Sequence, residues 1–379
     1  MKRIYLDNNA TTFLAPEIAE ILKKEISTSF GNPSSLHHFG QKAKNQILKS
    51  KDLIASFFKI SPMEIIFTSG GTEGINFLLQ NAPYQNEKNQ ILTSKSEHKS
   101  TLHCMKKLEE KGFEIVYLKP TDWGAPTSEQ IAEKINNKTC LIFLSLANNE
   151  TGVVIDLENI ARLAEKHNIP LFIDAVSALG RYSFAIPSGV TGMVFSGHKI
   201  HAPAGIGFVY LKKGHPAAPL MLGGGQEMGR RGGTENLLGI IGLGKAMEYL
   251  KENLEEYLSK QKYLRDLLEQ LILSNLSKVC INGKGPRNAN TSNLYFEDID
   301  GEIFLMHLDR LGIAASMGSA CSSGGLEPSH VLKSMGFDRH RVNSSVRFSL
   351  SRLNTEDEIR CAAQIICRTA HKLRNCLVT

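Results

Sequence analysis

The tetrapeptide Ser196-Gly197-His198-Lys199 sets an amine just after a small-residue turn. Upstream, Asp174 closes the apolar run Leu171-Phe172-Ile173. An amine there can condense with an aldehyde, and a carboxylate at a strand end can keep a ring nitrogen protonated so that the ring accepts electrons. That pairing is what a pyridoxal 5'-phosphate site requires. A second feature, Gly318-Ser319-Ala320-Cys321-Ser322-Ser323-Gly324-Gly325, sets one thiol among small residues. Together the two suggest chemistry on an amino acid that ends with sulfur on the protein.

Other segments add groups of the right kind. Ile65-Ile66-Phe67-Thr68-Ser69-Gly70-Gly71-Thr72-Glu73-Gly74 reads as strand, glycine turn and helix start. Free N–H groups and the helix dipole favour an anion there, Gly71 lets the backbone come close, and Thr72 adds a hydroxyl. A plain capped helix gives the same pattern. His98 follows another strand and can stack on a cofactor ring and move protons, or be a partly buried structural histidine. Asn149, in Asn148-Asn149-Glu150, can donate to a phenolic oxygen or a carboxylate, or belong to an Asn-rich turn. Thr234 is placed to cap the long helix that follows it or to donate to a phosphate. Arg347, in Val346-Arg347-Phe348, can clamp a carboxylate through paired hydrogen bonds or serve a structural ion pair.

These groups need a scaffold. Short apolar runs at 64–68, 90–93, 114–118, 140–146, 170–174, 192–196 and 207–211 alternate with amphipathic stretches such as 157–167. Alternation of this kind predicts an α/β fold with a mainly parallel sheet flanked by helices, with ligands at the carboxyl ends of its strands. A long helical stretch from 236 to about 273 then leads to strands near 292–296 and 345–349 and helices near 301–310 and 355–374. That predicts a smaller α+β domain. The division expected is a large domain over 12–250, with 1–11 and 251–379 forming a small domain that carries the mobile cysteine loop.

Composition narrows the class. The chain has 379 residues, 42% hydrophobic and 22% charged, as in ordinary globular proteins. Its net charge of +6 is spread among acids, which argues against direct nucleic-acid binding. No run approaches the ~18 apolar residues of a membrane span, and the charged start lacks a signal core, so the expected compartment is the cytoplasm. Seven cysteines give no Cys-x-x-Cys pair and no zinc pattern. No resident metal is expected, though Cys321 could ligate an iron–sulfur cluster transiently.

In order along the chain, Tyr5 to Thr12, Phe30 to Ser35, Thr68 to Glu73, Ser96 to Lys99, Asn148 to Glu150, Ser196 to Lys199, Gly318 to Ser323, Leu326 to Ser329 and Arg347 to Ser349 resemble the cysteine desulfurases of the NifS/IscS-like group, within the class V aminotransferases. The resemblance implies a fold-type I pyridoxal phosphate enzyme acting as a homodimer. Lys199 would carry the cofactor, Asp174 pair with its ring nitrogen and His98 stack on the ring. Thr72, Ser196 and His198 would hold the phosphate, with Thr234 reaching the neighbouring subunit's phosphate. Arg347 and Asn149 would bind the carboxylate of L-cysteine. Lys199 would remove the α-proton, His98 aid the proton movements, and Cys321 attack the substrate sulfur and keep it as a persulfide, leaving alanine. The sulfur would pass to a protein acceptor: an iron–sulfur scaffold, or a carrier in tRNA or cofactor thiolation. The segment 321–328 is of the longer type within the group, which pairs with a flexible loop and a protein acceptor.

Two departures matter. The group usually has a glutamine three residues after the aspartate, and here Ser177 takes that place. A serine reaches the phenolic oxygen only through a water. The chain also stops soon after Arg347, whereas members that dock an iron–sulfur scaffold often continue. Alternatives are a selenocysteine lyase or related pyridoxal phosphate enzyme, which would depend less on Cys321, and a cofactor-binding scaffold or regulator that has lost turnover.

Overall fold

The computed structural model describes residues 3–82, 88–121, 123–318 and 328–376. Cys321 and its neighbours 319–327 therefore lie outside the described residues. A seven-stranded sheet is built from β2 (Ile65–Thr68), β3 (Gln90–Ser94), β4 (Glu114–Leu118), β5 (Thr139–Ser145), β6 (Leu171–Asp174), β7 (Gly192–Ser196) and β8 (Gly207–Leu211), in the order β2-β8-β7-β6-β5-β3-β4. Only β8 runs against its neighbours. The expected α/β sheet is present, and its strands agree with the apolar runs to within a residue or so at each end. Every residue of β6 and β7 is buried. Such central strands read as continuous apolar runs because helices cover both faces.

Helices α1 (Pro16–Glu25), α2 (His38–Phe58), α3 (Gly71–Gln80), α4 (Lys99–Glu110), α5 (Ser128–Lys134) and α6 (Leu157–Lys166) flank this sheet. In α6 the stripe Leu157, Ile160, Ala161 and Ala164 is buried, and Asp156 caps the helix by accepting from Asn159 N. The parallel strands end on one edge. There Ser145 pairs with Asp174, and Asp174 with Val194.

Helix α7 (Leu237–Asn275) joins two cores. Its Ile240, Leu243, Met247 and Leu250 pack in the cluster beneath the large sheet. Its Leu264, Leu267, Leu268 and Ile272 pack in a second cluster. Between them Asn253 leaves helical geometry (φ −126°), and its amide donates to Tyr249 O, so the helix is bent rather than continuous. The cap of α7 also differs from expectation. Asn236, not Thr234, accepts from Gly239 N, and Thr234 lies exposed two residues earlier.

The second core underlies the antiparallel sheet β12-β10-β9 (Ser345–Ser349, Thr291–Phe296, Val279–Ile281). It is covered by α8 (Gly301–Arg310) and α11 (Glu356–Cys376), with the short α9 (His330–Ser334) and α10 (Arg339–Asn343) beside it. The N-terminal strand β1 (Ile4–Tyr5) pairs in parallel with β11 (Ile313–Ala314). The chain then crosses from this core to the large sheet through residues 7–10. Asn8 N donates to Ser349 O, and Asn9 donates through Nδ2 to Asn149 O. Among the described residues no helix is long and apolar enough to cross a membrane.

Candidate active site

At the carboxyl edge of the large sheet lies a cavity of about 140 Å³. Its walls bring together Gly71, Thr72, His98, Asn149, Asp174, Ser177, Ser196, His198, Lys199 and Arg347, residues far apart in sequence. Thr234 is the one candidate among the described residues that does not line it.

Lys199 ends a short turn, Gly197–Lys199, after β7. Its Nζ donates to the carbonyls of Asn9 and Ala10, the latter at 2.9 Å. Its main chain is held from the other side, where Arg181 Nη2 donates to Lys199 O (3.1 Å) and Asn8 O (2.7 Å). Asp174 is buried at the end of β6 and accepts from Val176 N at 2.9 Å. Burial pushes its carboxyl up to about 6, partly offset by that hydrogen bond and by Lys199. A buried carboxylate held this way gains most from a cation placed against it.

The start of α3 makes the opposite wall. Gly70 has φ +152°, a conformation that favours glycine, and a Cβ on Gly71 would come within 2.8 Å of Val176. The turn thus brings the helix start close to the Asp174 loop, with Ser196 Oγ nearby. His198 Nδ1 lies 3.0 Å from Thr11 Oγ1. Burial and the charge of Lys199 lower its imidazole to about 4, so the ring is neutral.

His98 lines the cavity and also serves the fold. It is the N-cap of α4, its Nδ1 accepting from Ser100 N (3.2 Å). That bond leaves the ring proton on Nε2. Burial first, then the charge of Lys199, lowers its pKa to about 4. The sign is that the folded state disfavours the imidazolium, so His98 stays neutral from alkaline pH down to about 4. We expect its ring resonances to hold still in an NMR titration from pH 7.5 to 5.5, where a free imidazole shifts. Movement with a midpoint near 6.5 would contradict the assignment.

The turn expected of the Asn pair is present. Asn148 Oδ1 accepts from Glu150 N and Thr151 N, building the turn, while Asn149 lines the cavity. For Arg347 the structural ion pair is present, since Nη2 meets Asp7 Oδ1 at 2.8 Å. Its Nη1 donates to Asn149 O, and its buried Nε has no partner. Ser177 faces the cavity, and its carbonyl accepts from Asn288.

Several neighbours were not singled out from the sequence. Asn9, Ser100 and Ser145 line the cavity, and Arg181 and Asp7 stand behind it. Ser145 Oγ donates to Glu97, whose carboxyl burial raises to about 8. Nothing local marks these residues, because their roles come from chain segments that meet only in the fold.

The sheet order, the ligand cavity at the strand ends and the lysine–aspartate pair define the fold-type I class of pyridoxal phosphate enzymes. The family model described as Aminotransferase class-V matches residues 4–361. A cysteine desulfurase of Trichormus azollae is 40% identical over 377 residues, covering 99% of this chain and 94% of the relative. A solved NifS-like protein superposes with a TM-score of 0.89 at 33% identity, covering 97% of this chain and 98% of the other. A structure described as SspA in complex with cysteine gives 0.82 at 31% identity, covering 93% and 99%. The chain belongs to the class V aminotransferases, in their NifS-like cysteine desulfurase branch.

Proposed function

We propose that this protein removes sulfur from L-cysteine, releasing L-alanine and retaining the sulfur as a persulfide on Cys321. The observation that carries the reading is the single cavity in which Lys199, Asp174, His98 and Arg347 meet a glycine-turn helix start. These residues fit pyridoxal 5'-phosphate. The α3 start, Thr72, Ser196 and His198 suit the phosphate, Asp174 the ring nitrogen, His98 the ring face and Lys199 the aldehyde. Bound there, the cofactor supplies an aldehyde for an amine and a ring that takes up an electron pair.

The chain's own groups do the rest. Arg347 and Asn149 orient the substrate carboxylate. Lys199 takes the proton from the substrate α-carbon and returns protons later. Neutral His98 carries its ring proton on Nε2 and shuttles protons beside the substrate. The Cys321 thiolate attacks the substrate sulfur. The new S–S bond forms as the carbon–sulfur bond breaks, its electron pair stays on the carbon fragment, and protonation of that fragment gives alanine. Ser177 gives the phenolic oxygen a weaker, water-bridged donor.

The same reading has two protomers acting together, with the exposed Thr234 of one reaching the phosphate held by the other. Exposed apolar side chains such as Phe30, Leu36 and Leu222 support such a contact. We divide the chain into a large domain (12–250) and a small one (1–11 with 251–379), following the two cores that α7 joins. The enzyme works in the cytoplasm and hands its sulfur to a protein acceptor, an iron–sulfur scaffold or a thiolation carrier. The test is product formation under anaerobic, reducing conditions: equimolar sulfide and alanine from L-cysteine are expected. A yellow, cofactor-loaded protein that yields neither product would refute the reading.

A further inference from the structure

Arg347 is 1% exposed, and one carboxylate, Asp7, pairs with it. Arg347 lines the cavity and Asp7 does not. Arg347 therefore joins a residue of the cavity wall to an acid outside that lining. Asp7 is fixed there by its backbone, which bridges to Ser349, and by Asn8 N donating to Ser349 O. A second guanidinium, Arg181, is 3% exposed and donates to carbonyls, with Nη1 unpartnered. It lies close enough for the Arg347 charge to oppose its own. Among the described ion pairs Asp7 meets Arg347 and not Arg181.

Resting on the function proposed above, we propose that Asp7 is a counter-charge behind Arg347 that sets how tightly the pocket holds an amino-acid carboxylate. A buried guanidinium with no anion is costly, and Asp7 removes most of that cost. An incoming carboxylate then meets an already neutralised pair. It gains little net charge attraction from that pair in this low-dielectric site. Substrate and alanine carry the same carboxylate, so a strong charge grip would bind both alike and slow product release. Asp7 is a positioning residue that makes recognition of the carboxylate geometric rather than ionic.

The test uses cofactor-loaded protein. L-alanine and L-alaninamide, which lacks the negative charge, are titrated while the visible band of the cofactor is followed. Asp7→Asn keeps an oxygen acceptor for Nη2 and loses the charge. It is expected to bind L-alanine about ten-fold tighter, with L-alaninamide unchanged, because Arg347 regains a full positive charge. Unchanged or weaker alanine binding overturns the proposal, and a general structural defect would move both ligands together. Should the variant not fold, the wild type alone decides. A preference for L-alanine over L-alaninamide within about ten-fold supports the proposal, and one of about a hundred-fold or more overturns it. A band that responds to no amino acid at all refutes the functional reading itself, and this proposal with it.

Discussion

Lys199→Ala is expected to abolish turnover and to lose covalent attachment of the cofactor. Borohydride reduction of the loaded wild type should leave the cofactor on the peptide containing Lys199, and on no peptide of the variant. Loss of the proton transfer alone costs about 10²–10⁴-fold, and loss of the attachment point adds to it. The variant should still fold. The turn is held by bonds to its main chain, Ile200 N to Gly197 O and Arg181 Nη2 to the carbonyl of residue 199, and these do not use the amine. Sulfide release at more than about a hundredth of the wild-type rate would remove Lys199 from the chemistry.

Cys321→Ser should separate binding from sulfur transfer. A hydroxyl at that position has no accessible anion to attack sulfur at neutral pH, whereas a thiol does. The variant should keep the cofactor on Lys199 and should still respond to L-cysteine through its visible band. It should form neither persulfide nor sulfide. Undiminished sulfide release would show that sulfur leaves without Cys321, as expected of a lyase that prefers a better leaving group such as selenium.

Much of the fold was legible because the large sheet is buried on both faces. Runs such as Leu171-Phe172-Ile173 and Met193-Val194-Phe195 are apolar throughout, and the polar residue that ends each, Asp174 or Ser196, marks the strand's carboxyl end. The candidate site residues legible in sequence were those with distinctive chemistry next to such an end. The groups behind them were not legible. Asp7 sits in an N-terminal segment that looks like a strand exit, and Arg181 in a turn after Gly180. Each gains its place from a contact far away in sequence, to Arg347 in one case and Asn8 in the other. Local rules also misplaced detail. Thr234 and Asn236 are both good caps, but α7 begins at Leu237, so Asn236 is the residue placed to accept from Gly239 N. The bend at Asn253 has no Gly or Pro to announce it. It falls where the helix passes from the core of one sheet to that of the other.

The most direct measurement is a single turnover in which cofactor-loaded wild type, freed of bound sulfur, receives one equivalent of L-cysteine without added reductant. Intact-protein and peptide mass spectrometry then follow the enzyme while alanine is counted. One added sulfur atom is expected on the peptide containing Cys321 for each alanine released. Alanine formed without that added mass, or the mass found on another cysteine, would contradict it.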